Sequence, residues 1–227
     1  MIVAIQQPEH LPWLGFFDKM TRVDRFVLLD NVQFKKRYFE NRNRIRTAQG
    51  YRWITAPVKS KSRFTQRIDE VELEQDPRWK RKYWLAIHHA YSRAPAFRRY
   101  AERFERTLER DWTRLVELNV AFLQEIRTIL ELATPLELAS TVVGAGGSGS
   151  QLILSICRAL GASRYISGPD GARYLDRDSF TRHGIEVEFH AYRHPEYTQL
   201  HLPFIPQLSV IDLIFNHGED ALRILKS

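Results

Sequence analysis

The first thirty residues alternate short apolar runs with a helical pattern, and this alternation restricts the fold more than any other feature of the chain. Residues 2–6 predict a short buried strand, and residues 13–21 predict a helix entered through Pro12, a residue suited to a helix start. A second apolar run, at residues 26–29, ends on Asp30. Strand, helix and strand in this order are typical of a parallel α/β sheet.

A hairpin and a helical segment interrupt the alternation. The stretches NRIRT and YRWITAPV flank the tripeptide AQG, which predicts two antiparallel strands and a three-residue connection, inside an insertion of about residues 35–75. Residues 77–132 follow a helical periodicity, with a boundary at Pro95 and a further break near Asp111.

The α/β pattern returns in the remainder of the chain. It predicts strands at residues 138–143, 164–167 and 185–189, and helices at residues 151–160 and 210–225. The fold class is therefore α/β, with a parallel, Rossmann-like sheet core, an inserted basic β-hairpin and a helical segment. We expect one such domain over residues 1–227.

The net charge of +7 comes from one part of the chain. Residues 31–65 hold ten Lys and Arg residues and one acidic residue, Glu40, so that the rest of the chain is slightly acidic. For a nucleic-acid partner the distribution of the charge matters more than its size, and here the basicity is confined to one local segment. We therefore expect an anionic small molecule as the partner rather than nucleic acid.

Hydropathy and cysteine usage indicate a cytoplasmic protein. No apolar run approaches the roughly 18 to 20 residues that a membrane-spanning helix needs, and we expect no membrane partner. The single cysteine, Cys157, lies in the apolar stretch LILSICRAL, which favours a buried, inert thiol and excludes an intrachain disulfide. The sequence indicates neither a cofactor nor an oligomeric state.

Polar side chains leave three of the predicted strands at their carboxyl ends. In a parallel sheet, ligands bind outside these ends, where loops and helix N-termini converge. The candidates from this rule are Gln6, Gln7, His10, Asp30, Ser167, Gly168 and Asp170. The alternative is that Gln6 and Gln7 satisfy backbone groups in a turn, with His10 solvated, and that Asp30 caps the next turn through its side chain.

The basic segment KKRYFENRNRIR carries groups that suit an anionic ligand. Arginine offers a planar fork of donors, and asparagine offers both donors and acceptors. The candidates are Lys36 and Arg37 as charge stabilisers and Asn41, Arg42, Asn43 and Arg44 as a ligand clamp. Two alternatives remain open, a solvated hairpin edge protected by its charge and a surface for RNA or DNA, since aromatic residues interleave with the basic ones.

Two further patterns carry less information. The stretch GAGGSG matches G-x-G-x-x-G between a strand and a helix, but a plain loop is the favoured interpretation, and the Walker lysine pattern is absent. His88 and His89 are adjacent and cannot act as an i, i+4 ligand pair on a helix. His190 and His194 flank the last predicted strand and its exit, and we expect no metal site.

Four blocks of the chain resemble the WbqC-like family. They are QPEHLPWLGFFDKM, LLDNVQFKKRYFENRNRIRT, RYISGPDGARYLD, and YRHPEYTQL with FIPQLSVIDLIFNHG. The resemblance covers nearly the whole chain and implies a bacterial cytoplasmic protein of surface polysaccharide biosynthesis, particularly O-antigen, or of related small-molecule biosynthesis. Trp13, Gln33 and His194 lie in these blocks and are further candidates for ligand binding.

Together, the residues and the resemblance indicate a transferase that acts on a nucleotide-activated sugar or another anionic small molecule. His10 or Asp30 would transfer the proton, and Lys36 would stabilise charge. Whether the transferred group is acyl, glycosyl or nucleotidyl stays open. The alternatives are a non-catalytic protein that binds RNA or single-stranded nucleic acid and a sensor that binds a sugar nucleotide without chemistry.

Overall fold

The computed structural model describes all residues from Met1 to Ser227, and the chain forms two compact units. The sheet unit consists of Met1–Gln7, Phe16–Asn31 and Ala133–Arg193. The helical unit consists of Pro8–Gly15, Val32–Leu132 and His194–Ser227. That the chain behaves as a single domain stays a prediction.

Seven strands and eight α-helices make up the regular structure. The strands are β1 (Ile2–Gln6), β2 (Arg25–Leu28), β3 (Arg42–Thr47), β4 (Gly50–Thr55), β5 (Leu136–Leu138), β6 (Arg164–Ser167) and β7 (Glu186–Phe189). The helices are α1 (Leu14–Thr21), α2 (Arg78–Tyr91), α3 (Phe97–Glu109), α4 (Leu115–Ile129), α5 (Gly149–Ala159), α6 (Arg177–Arg182), α7 (Val210–His217) and α8 (Ala221–Leu225). None of these helices has the length and apolarity needed to cross a bilayer.

The sheet unit contains a five-stranded parallel sheet in the order β5-β2-β1-β6-β7. Its central strand β1 is buried through Val3, Ala4 and Ile5, because an internal parallel strand is covered on both faces and so reads as a continuous apolar run. The predicted α/β, Rossmann-like core is confirmed.

The strand order reverses direction next to β1. From β1 the chain proceeds through β2 to β5 on one side, and then continues with β6 and β7 on the other side. In open α/β sheets the crevice for a ligand forms at such a reversal, outside the carboxyl ends of the two strands that flank it. Here those two strands are β1 and β6.

The prediction of a strand at residues 138–143 is wrong. Strand β5 ends at Leu138, and Ala139–Thr141 form a 3-10 turn. The Asp30 carboxylate accepts hydrogen bonds from the backbone N–H of Ser140 at 2.8 Å and from its hydroxyl at 2.6 Å. A backbone N–H that donates to a side chain is not available for a sheet ladder, so the strand stops there.

The helical unit contains the basic hairpin, formed by β3 and β4. Its connection has two residues rather than the predicted three, because Gly50 pairs with Thr47 and adopts a φ of +120°, which suits glycine. Side chains alternate along β3, so Asn43 and Ile45 face the core while Arg42 and Arg44 share the opposite face.

The predicted helices between residues 77 and 132 are confirmed as α2, α3 and α4, with breaks at the two predicted places. The closing helix is shorter than predicted, because α7 ends at His217 and α8 starts at Ala221. Gly218 separates them with a φ of +55°, a conformation that ends a helix.

Helix α6, in the sheet unit, was not predicted. Its N-cap is Asp176, whose carboxylate accepts a hydrogen bond from the backbone N–H of Ser179. An Asp at the N-cap was the available sequence signal.

Candidate functional site

The carboxyl edge of the parallel sheet holds several of the predicted site residues. Gln6 ends β1, Gln7 follows it, and Ser167 and Gly168 stand at the end of the neighbouring strand β6. Strand pairing therefore brings these four residues to one edge of the sheet unit, at the point where the strand order reverses. Asp170 lies on the turn that follows, with an exposed side chain 3.6 Å from Arg173.

A buried lysine lies at the same edge. Lys19, on α1, is only 2% exposed, and a Cβ atom placed on Gly168 would lie 4.0 Å from its ammonium nitrogen. Side chains on a helix tilt toward its N-terminus, which directs a residue from the last turn of α1 back along the helix. The ammonium also lies 5.8 Å from the centre of the Phe26 ring. A concentrated positive charge is thus held beside the end of β6.

The residue before this lysine forms a buried pair with a histidine. The Asp18 carboxylate lies 2.6 Å from Nε2 of His190, the residue that follows β7. Since an ionised carboxylate only accepts hydrogen bonds, Nε2 carries the proton and donates it. Burial raises the pKa of Asp18, but hydrogen bonds from His190 and Arg22 outweigh it, and the net result is a lowered pKa.

The position of His190 is set by the sheet. Its backbone N–H donates to the carbonyl of Ser167 at 2.8 Å, and its ring stacks on Tyr192 with a centroid distance of 6.1 Å and an angle of 16°. The other ring nitrogen, Nδ1, is not bound by Asp18, and 6% of the side-chain surface is exposed.

Asp30 has a structural role in this unit. Both of its carboxylate oxygens bind Ser140 and hold the turn after β5, as described above. This geometry is the turn-capping alternative considered for Asp30, and a role for it in proton transfer stays a prediction.

Sequence reasoning missed Asp18, Lys19 and His190 as site residues. Asp18 and Lys19 are the two charged residues of a helix that is otherwise largely apolar, LGFFDKMT, and a charge inside such a pattern was the available signal. His190 directly follows a correctly placed strand, so the same rule that selected Ser167 applies to it.

In the helical unit, His10 is enclosed and fully hydrogen-bonded. Its Nδ1 lies 2.7 Å from Oδ1 of Asn119 and its Nε2 lies 2.7 Å from the hydroxyl of Tyr83. The amide oxygen of Asn119 accepts the Nδ1 proton, so Nε2 accepts from Tyr83 and the ring is neutral. Burial lowers the pKa of His10 to about 4. These contacts make His10 part of the core, and its role in proton transfer stays a prediction.

The two asparagines of the proposed clamp bind backbone groups. The Asn43 amide donates to the carbonyl of Leu11 at 2.8 Å, and its oxygen accepts from the backbone N–H of Arg44 at 2.8 Å. The Asn41 amide donates to the carbonyl of Ala56 at 2.9 Å. Both side chains are buried and hold the hairpin in place.

The two arginines of the clamp stack on aromatic rings of β4. The guanidinium of Arg42 lies 4.2 Å from the centre of the Trp53 ring, and that of Arg44 lies 5.1 Å from the centre of the Tyr51 ring. Arg44 also donates to the carbonyl of Gln207 at 2.9 Å, and Arg42 donates to the carbonyl of Arg37. This outer hairpin face is therefore cationic and aromatic, as the sequence predicts.

Other basic residues of the segment bind their own loop. The Lys36 ammonium donates to the carbonyl of Ser60 at 2.8 Å and lies over the Phe64 ring, and the Gln33 amide donates to the carbonyl of Phe64. The Arg37 side chain is exposed. Part of the local charge is thus used to order residues 33–64.

Comparison with known proteins identifies the family. The sequence model of the WbqC-like protein family matches residues 7–224. The chain belongs to this family. It is also 37% identical over 228 residues to the Mycobacterium tuberculosis (strain ATCC 25618 / H37Rv) protein named "Uncharacterized protein Rv1507c", which covers 99% of this chain and 97% of the relative. No solved structure matches the chain.

The final block of this WbqC-like protein builds a buried network in the helical unit. The Asp212 carboxylate accepts from the Tyr197 hydroxyl and from the Gln199 amide, both at 2.9 Å, and burial raises its pKa to about 6. The Arg46 guanidinium, also buried, donates to backbone carbonyls of the hairpin turn and of residues 201 and 203. These residues join the last block to the hairpin and stabilise it.

The ring of His194 lies in an aromatic cluster of the helical unit. It stacks on Trp13 at a centroid distance of 6.5 Å and an angle of 14°, and its Nδ1 donates to the carbonyl of Pro195. Burial lowers the pKa of His194, and this hydrogen bond opposes the effect. Two of the candidates from the family blocks therefore contact each other, and their binding of a ligand stays a prediction.

The glycine-rich stretch, residues 144–149, follows β5, an edge strand of the sheet, and the cysteine lies on α5. Cys157 is buried, as predicted, and burial raises the pKa of its thiol to about 12.

Proposed function

We propose that this WbqC-like protein is a cytoplasmic transferase that acts on a nucleotide-activated or other anionic small molecule in bacterial surface polysaccharide biosynthesis, particularly of O-antigen, or in related biosynthesis. The ligand site is the carboxyl edge of the parallel sheet, between β1 and β6. The observation that carries the proposal is the buried ammonium of Lys19 beside Gly168.

The position of the Lys19 charge supports this site. A buried ammonium acts in a medium of lower effective dielectric than water, so it attracts a bound anion more strongly there than it would at the surface. At the end of β6 this charge faces a glycine, where no side chain separates the backbone from the ammonium. Such a place suits a phosphate or carboxylate, which accepts hydrogen bonds from both the ammonium and backbone N–H groups.

Binding of RNA or single-stranded DNA through the hairpin is the second candidate. The outer hairpin face supports it, since Arg42, Arg44, Tyr51 and Trp53 combine cationic and aromatic groups. Two observations count against this candidate. The guanidinium groups of Arg42 and Arg44 already donate to backbone carbonyls, and that of Arg42 lies over the Trp53 ring, where a base would have to stack. A sensor that binds a sugar nucleotide without chemistry would use the same sheet edge as the transferase.

A thermal-shift screen tests the proposal. The full chain is heated with nucleotides, nucleotide sugars and acyl thioesters, beside the variants Lys19→Met and Lys61→Met. We expect one ligand class to raise the Tm of the wild type, since a ligand at 100 times its Kd stabilises by about 2.7 kcal/mol. Lys61 is exposed and serves as the matched control. Lys19→Met should weaken binding about tenfold or more, because it removes a hydrogen bond to a charged group.

Two results would contradict the proposal. One is equal stabilisation of the wild type and the Lys19→Met variant by the same ligand, which would move the site away from this edge. The other is tight oligonucleotide binding at physiological salt, with an affinity that falls by about three orders of magnitude or more between 50 and 200 mM salt, which would favour nucleic acid. Product formation by mass spectrometry then separates a transferase from a sensor.

A further inference from the structure

We propose that Nδ1 of His190 is the general base of the transferase, and that Asp18 is the residue that positions it. The inference rests on the proposed function, since it assigns the proton transfer at the same sheet edge. It also names the second substrate by its chemistry, as a neutral acceptor that attacks through a hydroxyl or an amine.

The hydrogen bonding of the pair fixes the tautomer of the ring. A carboxylate bound to one imidazole nitrogen holds the proton on that nitrogen and leaves the lone pair on the other. Asp18 binds Nε2 at 2.6 Å, so the lone pair lies on Nδ1. Nδ1 is the ring nitrogen that Asp18 leaves unbound, and 6% of the side-chain surface of His190 is exposed, so Nδ1 can take a proton from a bound molecule.

The surroundings hold the imidazole in this orientation. The backbone N–H of His190 is bound to the carbonyl of Ser167, and its ring is stacked on Tyr192. Asp18 is held in turn by Arg22, whose Nε lies 2.8 Å from the same carboxylate. A base oriented by a buried carboxylate, itself held by a third group, is the arrangement used in enzymes that activate a nucleophile.

The location relative to Lys19 gives each charged group a separate task. Asp18 and Lys19 are consecutive residues of α1, and Ser167 and Gly168 are consecutive residues at the end of β6. Lys19 lies beside Gly168, and Asp18 binds His190, whose backbone N–H donates to the carbonyl of Ser167. The ammonium of Lys19 holds the anionic part of the donor. The imidazole, one strand further along the edge, receives the acceptor.

The chemical step is a displacement at the activated carbon or phosphorus of the donor. The acceptor oxygen or nitrogen forms the new bond, and the bond to the anionic leaving group breaks with its electron pair. Nδ1 of His190 takes the proton of the acceptor, and Asp18 stabilises the imidazolium through the hydrogen bond at Nε2. The imidazolium then returns its proton to the solvent or to the leaving group.

The first test is the tautomer of His190 in the ligand-free full chain. Nitrogen-proton correlation spectra of the uniformly labelled protein at pH 8 distinguish a protonated from an unprotonated ring nitrogen. We expect His190 with the proton on Nε2, and we expect Asp18→Asn, but not Asp18→Glu, to lose this preference. A proton on Nδ1 in the wild type would overturn the proposal.

The second test measures whether Nδ1 is reachable. Diethyl pyrocarbonate modifies unprotonated imidazole nitrogens, and peptide mass spectrometry assigns each modified histidine. His190 should react roughly tenfold or more faster than His10, because an enclosed ring with both nitrogens bonded reacts only when its surroundings open. Equal, slow modification of the two histidines would overturn the proposal.

These tests fail independently of the donor site. Neither test needs a ligand. If His190 has the expected tautomer and a reactive Nδ1, but no ligand raises the Tm in the thermal-shift screen, only the proposed function is contradicted. Once a donor from that screen is turned over, His190→Gln should lower kcat by about a hundredfold or more with donor binding unchanged, the usual scale for a lost general base. An unchanged kcat would overturn the assignment even if the transferase itself is correct.

Discussion

His10 in the helical unit and His190 in the sheet unit are both buried, and both accept or donate hydrogen bonds of 2.6 to 2.7 Å, yet they differ in what remains free. His10 uses both ring nitrogens inside the protein. His190 uses one of them for Asp18, and 6% of its side-chain surface is exposed. Burial alone therefore does not distinguish a structural polar side chain from a candidate for a reaction. The number of its polar atoms that are hydrogen-bonded within the protein is the more useful criterion.

The two units also differ in where a buried basic residue lies. Arg46, in the helical unit, is buried and donates to four backbone carbonyls through its two terminal nitrogens, although its Nε has no partner. Lys19, in the sheet unit, is buried beside a glycine at the edge where parallel strands end. Loss of the first should cost stability, and loss of the second should cost binding.

The largest expected effect comes from Arg46→Met. Its buried guanidinium donates to the carbonyls of Thr47, Gly50, His201 and Pro203, and all four would lose this donor. We expect a loss of about 4 to 5 kcal/mol in the free energy of unfolding, the scale for removing one partner of a buried charged network. Denaturant titration measures it.

Arg52→Met is the matched control for Arg46. Arg52 is an exposed arginine of the same hairpin, and its loss should change stability by about 0.5 kcal/mol or less. Similar losses for the two variants would mean that the hairpin responds to charge in general rather than to the Arg46 contacts.

The second prediction compares the two histidines directly. His10→Ala leaves Asn119 and Tyr83 each without a buried partner and should lower the free energy of unfolding by about 3 kcal/mol. His190→Ala leaves Asp18 with Arg22 as a partner, and should cost about 1 kcal/mol. Thermal and denaturant unfolding of both variants measure the two losses, and a reversed order would break the comparison.

The third prediction concerns Asp30→Asn in the sheet unit. The amide keeps the shape of the side chain, and it can accept from the Ser140 backbone N–H and donate to the Ser140 hydroxyl, so only the contribution of the charge is lost and we expect a loss of about 2 kcal/mol. The ligand-induced rise in Tm should remain equal to that of the wild type, since Asp30 is used by the turn. A variant with unchanged stability whose Tm no longer rises with ligand would contradict the structural role and assign Asp30 to ligand binding.

The smallest predicted effect is a pH dependence due to Glu40, an exception within the helical unit. Its carboxylate is buried, and neither oxygen has a hydrogen-bond partner of normal geometry. Nearby backbone N–H groups still favour the charged form in part. Burial raises the pKa of Glu40 from 4.5 to about 7. Between these values the folded protein keeps a proton that the unfolded chain has released, so stability falls as the pH rises.

Glu40→Gln isolates this contribution. Relative to the variant, the wild type should lose roughly 1.5 kcal/mol of unfolding free energy between about pH 5.5 and pH 7, and the decline should level off above about pH 8. Taking the difference between the two proteins cancels the titration of the other groups. A difference that stays flat with pH would show that a cation or water compensates the Glu40 carboxylate.

Much of the fold could be predicted because it depends on local patterns. The apolar runs at the start and in the last third of the chain gave the parallel strands, and the helical periodicity gave α2 to α4 with their breaks. The errors lie where a distant residue decides the local structure. Strand β5 stops at Leu138 because Asp30 binds Ser140, more than a hundred residues away along the chain.

The candidate site was predictable only in part. The strand-end rule correctly brought Gln6, Gln7, Ser167 and Gly168 to one sheet edge, since it depends on strand direction alone. It also selected His10 and Asp30, whose polar atoms are used inside the protein, and it missed Lys19, which reaches the edge from a helix. The rule predicts which backbone positions lie at the carboxyl edge of the sheet, but it does not predict where their side chains point.

The sequence by itself determined the family, the parallel sheet and the place along the chain where polar residues leave each strand, because these follow from short-range patterns of apolar and polar residues. Only the tertiary structure decided which polar groups keep a free atom. Asp18 and His190 are 172 positions apart, and whether a ring nitrogen is bound or open depends on partners that meet only after folding.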